Sequence, residues 1–444
     1  MPAGNRSNIF AMPGWSTEIK YQRMRFPGKS SYNYRWRIVA LLFFATTINY
    51  IDRQVIGILK PYISEDLGWS EVDYGYIVMT FQIAYAIGLI TTGRFLDKFG
   101  TRLGYTLAII LWSIASTAHA AARSVFTFSI MRFFLGIGES ANFPAAVKTV
   151  AEWFPKKERA LATGWFNIGS SVGAFLTPVL VSGIFVAYGW QWAFIITGSL
   201  GFVWIIFWLL FYYSPQNHPK LTKKEYDYIL SDNEPEQSAP TRWKALFKYR
   251  PTYAIVFSRF ITDWVWWFIL FWIPDFLNKM HHINIKELVF PLIVIYSFAG
   301  LGGIAGGWLS SKLIKTGKSI DFSRKIVILI CALIVMPVIL VSQIHIIWIS
   351  VLLISCAAFG HQAWASNIFT IVSDIFPKKA VGSMTGIAGF AGAAGGALSA
   401  PFIGLLLDFT GSYFIVFLVA GCVYFSAWLI LKLMIPDIHS LEIQ

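Results

Sequence analysis

G138-ESANFPAAVKTVAEWFPKKERALATG-164 aligns without a gap on G360-HQAWASNIFTIVSDIFPKKAVGSMTG-386, at an offset of 222 residues, with nine identities that include Phe-Pro-Lys-Lys and the closing Thr-Gly. Self-similarity at a fixed offset marks an internal repeat, so the chain is built from two copies of one unit. The likeness extends outward on both sides. Gly164 to Pro178 resembles Gly386 to Pro401 with one residue inserted, and Gly93-RFLDK-98 has a weaker counterpart in Gly307-WLSSK-312.

What the unit is follows from composition. Of 444 residues, 56% are hydrophobic and 13% charged, against about 25% charged in an ordinary soluble domain, which excludes a soluble enzyme. Apolar segments long enough to span a bilayer fall at 37–57, 74–96, 103–122, 125–149, 160–187, 191–212, 252–278, 287–313, 324–342, 345–373, 380–407 and 411–434. A hydrocarbon core of about 30 Å takes about 20 helical residues, and backbone groups in it must be satisfied within the segment. The expectation is an all-α integral membrane protein of twelve helices in two pseudo-symmetric six-helix bundles. Its expected parts are a tail 1–36, a first bundle 37–212, a linker 213–251, a second bundle 252–434 and a tail 435–444. The linker is recognisable because Lys220, Lys223, Lys224, Glu225, Asp227, Asp232, Glu234 and Glu236 crowd into it.

The net charge of +13 could suggest nucleic acid, but the positions of the basic residues explain it otherwise. With both ends inside, the cytoplasmic segments, taken through Arg37, hold 26 of the 36 Lys and Arg, and the opposite side holds Lys60, Arg123, Lys279 and Lys286. Positive residues mark the cytoplasmic face, so both termini and the linker are expected in the cytoplasm, with no nucleic-acid partner. Cys331, Cys356 and Cys422 all lie in apolar runs without CxxC or His spacing, so disulfides, metals and thiol chemistry are not expected. Gly300-LGGIAGG-307 has no strand before it and reads as helix packing. No P-loop, HExxH or Ser-His-Asp arrangement is present, and no cofactor or enzymatic activity is expected.

G93-RFLDKFGTR-102 resembles the loop signature of the major facilitator superfamily. Asp97 and Arg102, with Gly93, are read as a gating loop rather than as substrate ligands. A finer resemblance lies in I48-NYIDR-53, R132-FFLGIGES-140, E152-WFPKKERALATGWFNIGSSVGA-174, W190-QWAFIITGSLGF-202, R259-FITDWVWWFILFWIPDF-276 and G360-HQA-363. These stretches resemble the anion:cation symporter family, most closely its hexuronate transporters, over nearly the whole chain. The resemblance implies proton-coupled uptake of a sugar acid such as glucuronate or galacturonate across a bacterial inner membrane, by a monomer. It leaves open an aldonate, an aldarate or another carboxylate, and beyond the family a membrane sensor without transport or a passive facilitator.

The residues themselves support an anion site. Charges inside spans cost about 2.5–3.5 kcal/mol or more and usually face a cavity, and four stand out: Asp52, Arg53, Arg132 and Glu139. Arg132 and Glu139 are seven residues apart, two helical turns on one face, at a depth comparable with Asp52 and Arg53. A guanidinium can hold a carboxylate with two parallel bonds, so Arg53 and Arg132 are the candidate anion ligands. Asp52 and Glu139 are the candidate proton carriers, since burial can keep a carboxylic acid neutral until water or an Arg meets it. A static ion-pair network is the competing reading. The resemblance places the family's essential intramembrane acids on Asp52 and Glu139.

Sugar hydroxyls need donors, acceptors and aromatic faces. Asn49, Tyr50, Gln82, Tyr85, Asn167 and Ser170 are candidates in the first half, and Trp267, His361, Gln362, Ser366 and Asn367 in the second. His361 occupies the repeat position of Glu139. Arg259 and Asp263 are spaced for an i,i+4 ion pair.

Overall fold

The computed structural model describes residues 33–231 and 243–441. Most of the expected N-terminal tail, residues 1–32, lies outside the described residues, as do 232–242 of the linker and 442–444. Among the described residues nine helices are long and apolar enough to cross a membrane by length and composition. The helical rods number twelve, and the difference has three causes. One unbroken assignment, Glu71–Ala118, holds two rods that part at Gly100, whose φ of 73° and ψ of 160° leave the helical region. The first rod carries Asp52 and Arg53, which dilute its hydropathy. The fourth is divided into pieces of 15 and 12 residues.

In chain order the rods are α1 (Tyr34–Leu67), α2 (71–99), α3 (101–118), α4 (Val125–Glu139 continued by Asn142–Trp153), α5 (Lys156–Tyr188) and α6 (Trp190–Phe211). The second set is α7 (Arg250–Phe271 continued by Ile273–His281), α8 (Ile285–Lys315), α9 (Ile320–Val335 with a 3-10 extension Met336–Gln343), α10 (Ile347–Ile375), α11 (Lys378–Thr410) and α12 (Phe414–Met434). The breaks follow the prolines. Pro144 has no N–H and its ring meets the carbonyl four residues back, at Ser140, where α4 bends. Pro274 acts the same way toward Leu270, and α7 breaks at Trp272. At the repeat position of Pro144 stands Ser366, and α10 runs unbroken.

The two sets of six meet along three seams, α1 with α7, α2 with α11 and α5 with α8. At the end far from the linker the α1–α7 and α2–α11 seams are tight. A Cβ on Gly57 would lie 2.6 Å from the Leu270 carbonyl oxygen, one on Gly75 2.7 Å from that of Ala400, and one on Gly404 2.4 Å from that of Glu71. Ions reinforce the closure. Buried Lys60 lies 2.6 Å from both Glu71 Oε2 and Asp275 Oδ2, Lys279 pairs with Glu71, and the Tyr413 hydroxyl donates to Asp275 at 2.5 Å. Asp408, at the end of α11, accepts from the backbone N–H of Glu71 and of Val72, each at 3.0 Å, and so caps α2 across the seam. At the linker end, a Cβ on Gly93, Gly164 or Gly382 would meet nothing within 4 Å. The molecule is closed at one end and parted at the other.

The first part of the linker, residues 213–231, docks on the first six helices, while Trp243–Leu246 lies against α11. Its helix Lys223–Leu230 presents Glu225, which lies 3.3 Å from Arg35, while Arg35 also holds Glu158 at 3.0 Å. His218 packs against the Tyr34 and Trp153 rings at 4.2 and 5.3 Å. Burial, with Lys220 adding to it, pushes the imidazole down to about 4.

Candidate functional site

The site sits where α1, α2, α4 and α7 converge. Arg53 of α1 is 4% exposed. Its Nε donates to Glu139 Oε2 at 2.8 Å and its Nη2 to Asn49 Oδ1 at 3.1 Å. Asn49 lies one turn below Arg53 on α1, and its amide also reaches the Glu139 carbonyl at 3.4 Å. Four rings surround the guanidinium, with Tyr85 and Tyr50 centroids 4.8 and 4.9 Å from Cζ and Phe81 and Trp267 at 5.7 Å. Cation–π attraction from several faces holds a charge in place of water. Trp267 belongs to the second half of the chain, so both halves contribute to the cage.

Glu139 is presented by the bend in α4. It is the last residue before the Pro144 break, and the approach of α4 to α2 and α3 requires glycines on either side. A Cβ on Gly136 would lie 2.5 Å from the Phe81 carbonyl oxygen, and one on Gly138 2.8 Å from Trp112. Glu139 Oε1 has no partner among the described residues, so the carboxylate holds Arg53 through one oxygen, beside the Asn49 contact.

The four intramembrane charges do not form one network. Asp52 faces α3, where the Ser116 hydroxyl donates to its Oδ1 at 2.9 Å, and its Oδ2 has no hydrogen-bond partner among the described residues. Arg132 is fully buried, with Nη1 and Nη2 3.5 and 3.4 Å from the Arg53 carbonyl oxygen. Among the described residues no carboxylate lies within 4.0 Å of it. Phe81 stands between the two cations, its ring 5.7 Å from Arg53 Cζ and 5.3 Å from Arg132 Cζ. Helical spacing had put Arg132 and Glu139 on one inward face, and both are buried there, but the carboxylate points to Arg53.

The remaining candidates divide. Tyr50 and Tyr85 are half-buried in the cage, and Tyr50 is seated on α5, where a Cβ on Gly173 would lie 2.8 Å from its own Cβ. Gln82 and Trp267 approach α11 together: a Cβ on Gly396 would lie 3.0 Å from Gln82 Nε2 and 2.4 Å from the Trp267 ring. Neither amide atom of buried Gln82 has a hydrogen-bond partner among the described residues. Asn167 is exposed on α5, its carbonyl accepting from Ser170 Oγ at 2.7 Å. The α10 candidates bond within the second half of the chain. His361 bonds the Tyr424 hydroxyl at 2.5 Å and stacks on Trp266 at 5.5 Å, tying α10 to α12 and α7. Ser366 and the Asn367 amide both turn back to the Ala363 carbonyl at 2.9 Å, and Gln362 is half-buried. Arg259 and Asp263 form their i,i+4 pair at 2.8 Å.

Asp97 and Arg102 tie the first six helices to one another. Asp97 bonds Lys148 of α4 at 2.5 Å, and Arg102 donates to the Leu209 carbonyl at 2.6 Å with its guanidinium 4.0 Å from the Tyr213 ring. Gly93 is exposed at the parted end. Among the described residues no group of three His, Cys, Asp or Glu side chains could hold a metal ion. The sequence reading missed Phe81, which one more phenylalanine among 38 could not announce.

The family model described as Major Facilitator Superfamily matches residues 42–400. The hexuronate transporter of Escherichia coli K12 is 33% identical over 382 residues, 85% of this chain and 88% of that protein. The galacturonate transporter of Dickeya chrysanthemi is 36% identical over 305 residues, 67% and 88% of the two chains. Among solved structures, a D-xylose-proton symporter superposes with a TM-score of 0.72 at 17% identity, over 91% of this chain and 98% of its own, a likeness of fold.

Proposed function

We propose, from the premise that this chain belongs to the Major Facilitator Superfamily, that it imports a sugar acid, a hexuronate such as glucuronate or galacturonate, by proton symport and alternating access. The observation that carries the reading is Arg53, a caged guanidinium held by one oxygen of Glu139. Protonation of Glu139 from outside removes that charge-assisted bond, a contact worth about 1.5–3 kcal/mol. Arg53 is then free for the substrate carboxylate, and Tyr50, Tyr85 and Trp267 offer faces to the sugar ring. Loss of the proton to the cytoplasm restores the Arg53–Glu139 pair and expels the anion. Asp52 is the second candidate proton carrier. Arg132, behind Phe81, adds a positive field that favours an anion in the cage. The names of the E. coli and Dickeya relatives support the substrate class.

On this reading the parted end faces the cytoplasm, the protein lies in a bacterial inner membrane with both termini and the linker inside, and it works as a monomer. The chain divides into bundles at 37–212 and 252–434 that rock about the cage, with Gly93, Asp97 and Arg102 bracing the inner gate. The test is uptake of labelled glucuronate and galacturonate into proteoliposomes with and without an inward proton gradient, for the native protein, Glu139→Gln and Arg132→Ala. Accumulation should follow the gradient, and Glu139→Gln should abolish it while exchange continues. Arg132→Ala should weaken both modes. If a folded protein moves neither sugar acid and carries an aldonate, an aldarate or another anion instead, the hexuronate assignment falls.

A further inference from the structure

Two polar side chains near the cage have no role in the proton cycle and no hydrogen-bond partner among the described residues. Gln54 follows Arg53 on α1, is fully buried, and has neither Nε2 nor Oε1 bonded among the described residues. Tyr296 of α8 is 2% exposed, and its hydroxyl also lacks a partner. An amide withdrawn from water without compensation costs several kcal/mol on hydrocarbon-transfer scales, and buried polar groups are nearly always paired.

Their positions bring them to one seam. At 100° per residue, Gln54 shares a face of α1 with Thr47, Tyr50 and Gly57. Thr47 and Tyr50 pack on Gly169 and Gly173 of α5, and Gly57 packs on the Leu270 carbonyl of α7, so Gln54 lies in the wedge between α5 and α7. On α8, Tyr296 stands one turn from Gly300, where an added Cβ would lie 3.4 Å from Ser171 Oγ of α5. Ser171 and Gly173 are neighbours on α5, which puts Tyr296 within about a turn of the Tyr50 level, while Gln54 is one turn beyond Tyr50 toward the closed end. One group comes from each half of the chain, and both lie just outside the cage in the direction from which a substrate would arrive.

We propose that Gln54, assisted by Tyr296, is the hydroxyl-reading subsite, engaged when the closed end opens. Arg53 takes the carboxylate of the substrate, and Gln54, about 100° around the same helix, takes the ring hydroxyls from the adjacent wall. The ligand class is therefore a polyhydroxylated monocarboxylate. This rests on the sugar-acid reading above. A site built to hydrogen-bond hydroxyls loses much of its preference when its polar groups are removed.

The test is uptake of labelled glucuronate by cells that make the full-length protein and lack other sugar-acid carriers, with unlabelled glucuronate or cyclohexanecarboxylate, a ring acid without hydroxyls, as competitor. Gln54→Leu should raise the glucuronate concentration needed for half-inhibition at least tenfold and leave that of cyclohexanecarboxylate within about twofold, with Tyr296→Phe moving the same way by less. Equal shifts for both competitors, or no shift for either, in folded variants would overturn the subsite while leaving sugar-acid transport standing. Native protein that takes up no glucuronate overturns both. Should Gln54→Leu fail to reach the membrane, Gln54→Asn and Tyr296→Phe carry the same comparison.

Discussion

At the scale of single residues, the four intramembrane charges were legible because a charge in a span is too costly to be incidental. Their pairing was not. Spacing along α4 fixes a face, and a face shared by Arg132 and Glu139 leaves undecided which cation the carboxylate takes. In the structure the carboxylate takes Arg53, and the Phe81 ring lies against both guanidiniums. His361 shows the same limit, since its repeat position pointed to the site and its bond to Tyr424 points elsewhere. The cage yields a sharp expectation for Arg53→Lys. An ammonium keeps the charge and loses both the planar fork and the stacking on four rings, so the apparent affinity for glucuronate should fall at least tenfold, about 1.4 kcal/mol, in a competition assay. A variant with unchanged affinity would remove Arg53 from the anion site.

At the scale of elements, the number and order of helices could be read from hydropathy, whereas the breaks depended on residues inside them. Pro144 bends α4 directly after Glu139, while Ser366 at the repeat position leaves α10 straight, so two segments aligned without a gap differ in shape. Pro144→Ala should restore the missing hydrogen bond, keep or raise the melting temperature, and lower glucuronate uptake at least fivefold because Glu139 is then presented at a different angle. Loss of folding with uptake per folded molecule intact would contradict this. The docked linker carries a pH dependence. With its docked pKa near 4 below the free value of about 6.5, His218 supports docking as the neutral imidazole. That support is complete above about pH 6.5 and is lost as pH falls toward 4. Amide exchange over residues 213–231 should therefore speed up between about pH 6.5 and 4, after correction for intrinsic rates, and His218→Phe should flatten the change.

At the scale of the whole molecule, twofold repetition and twelve spans were visible in the sequence, and the conformational state was not, because the same sequence must serve every state of a carrier. The state is fixed by contacts between distant residues, such as Gly75 with Ala400 and Lys60 with Asp275. Gly75→Trp cannot fit against the Ala400 carbonyl. Spin labels flanking that end on α2 and α11 should report a longer distance than in the native protein, with uptake lost, and an unchanged distance would show that the contact does not set the state. The ion cluster around Lys60 has a thermal consequence as well. Charged groups hydrate with a strongly negative entropy, so the penalty for stripping their water shrinks on heating. Four charged side chains gather at that end, and Lys60 and Asp275 among them give up their hydration when it shuts. Warming should therefore draw the population toward the shut form and cooling should release it, giving this carrier a resting state that depends on the temperature at which the cell lives.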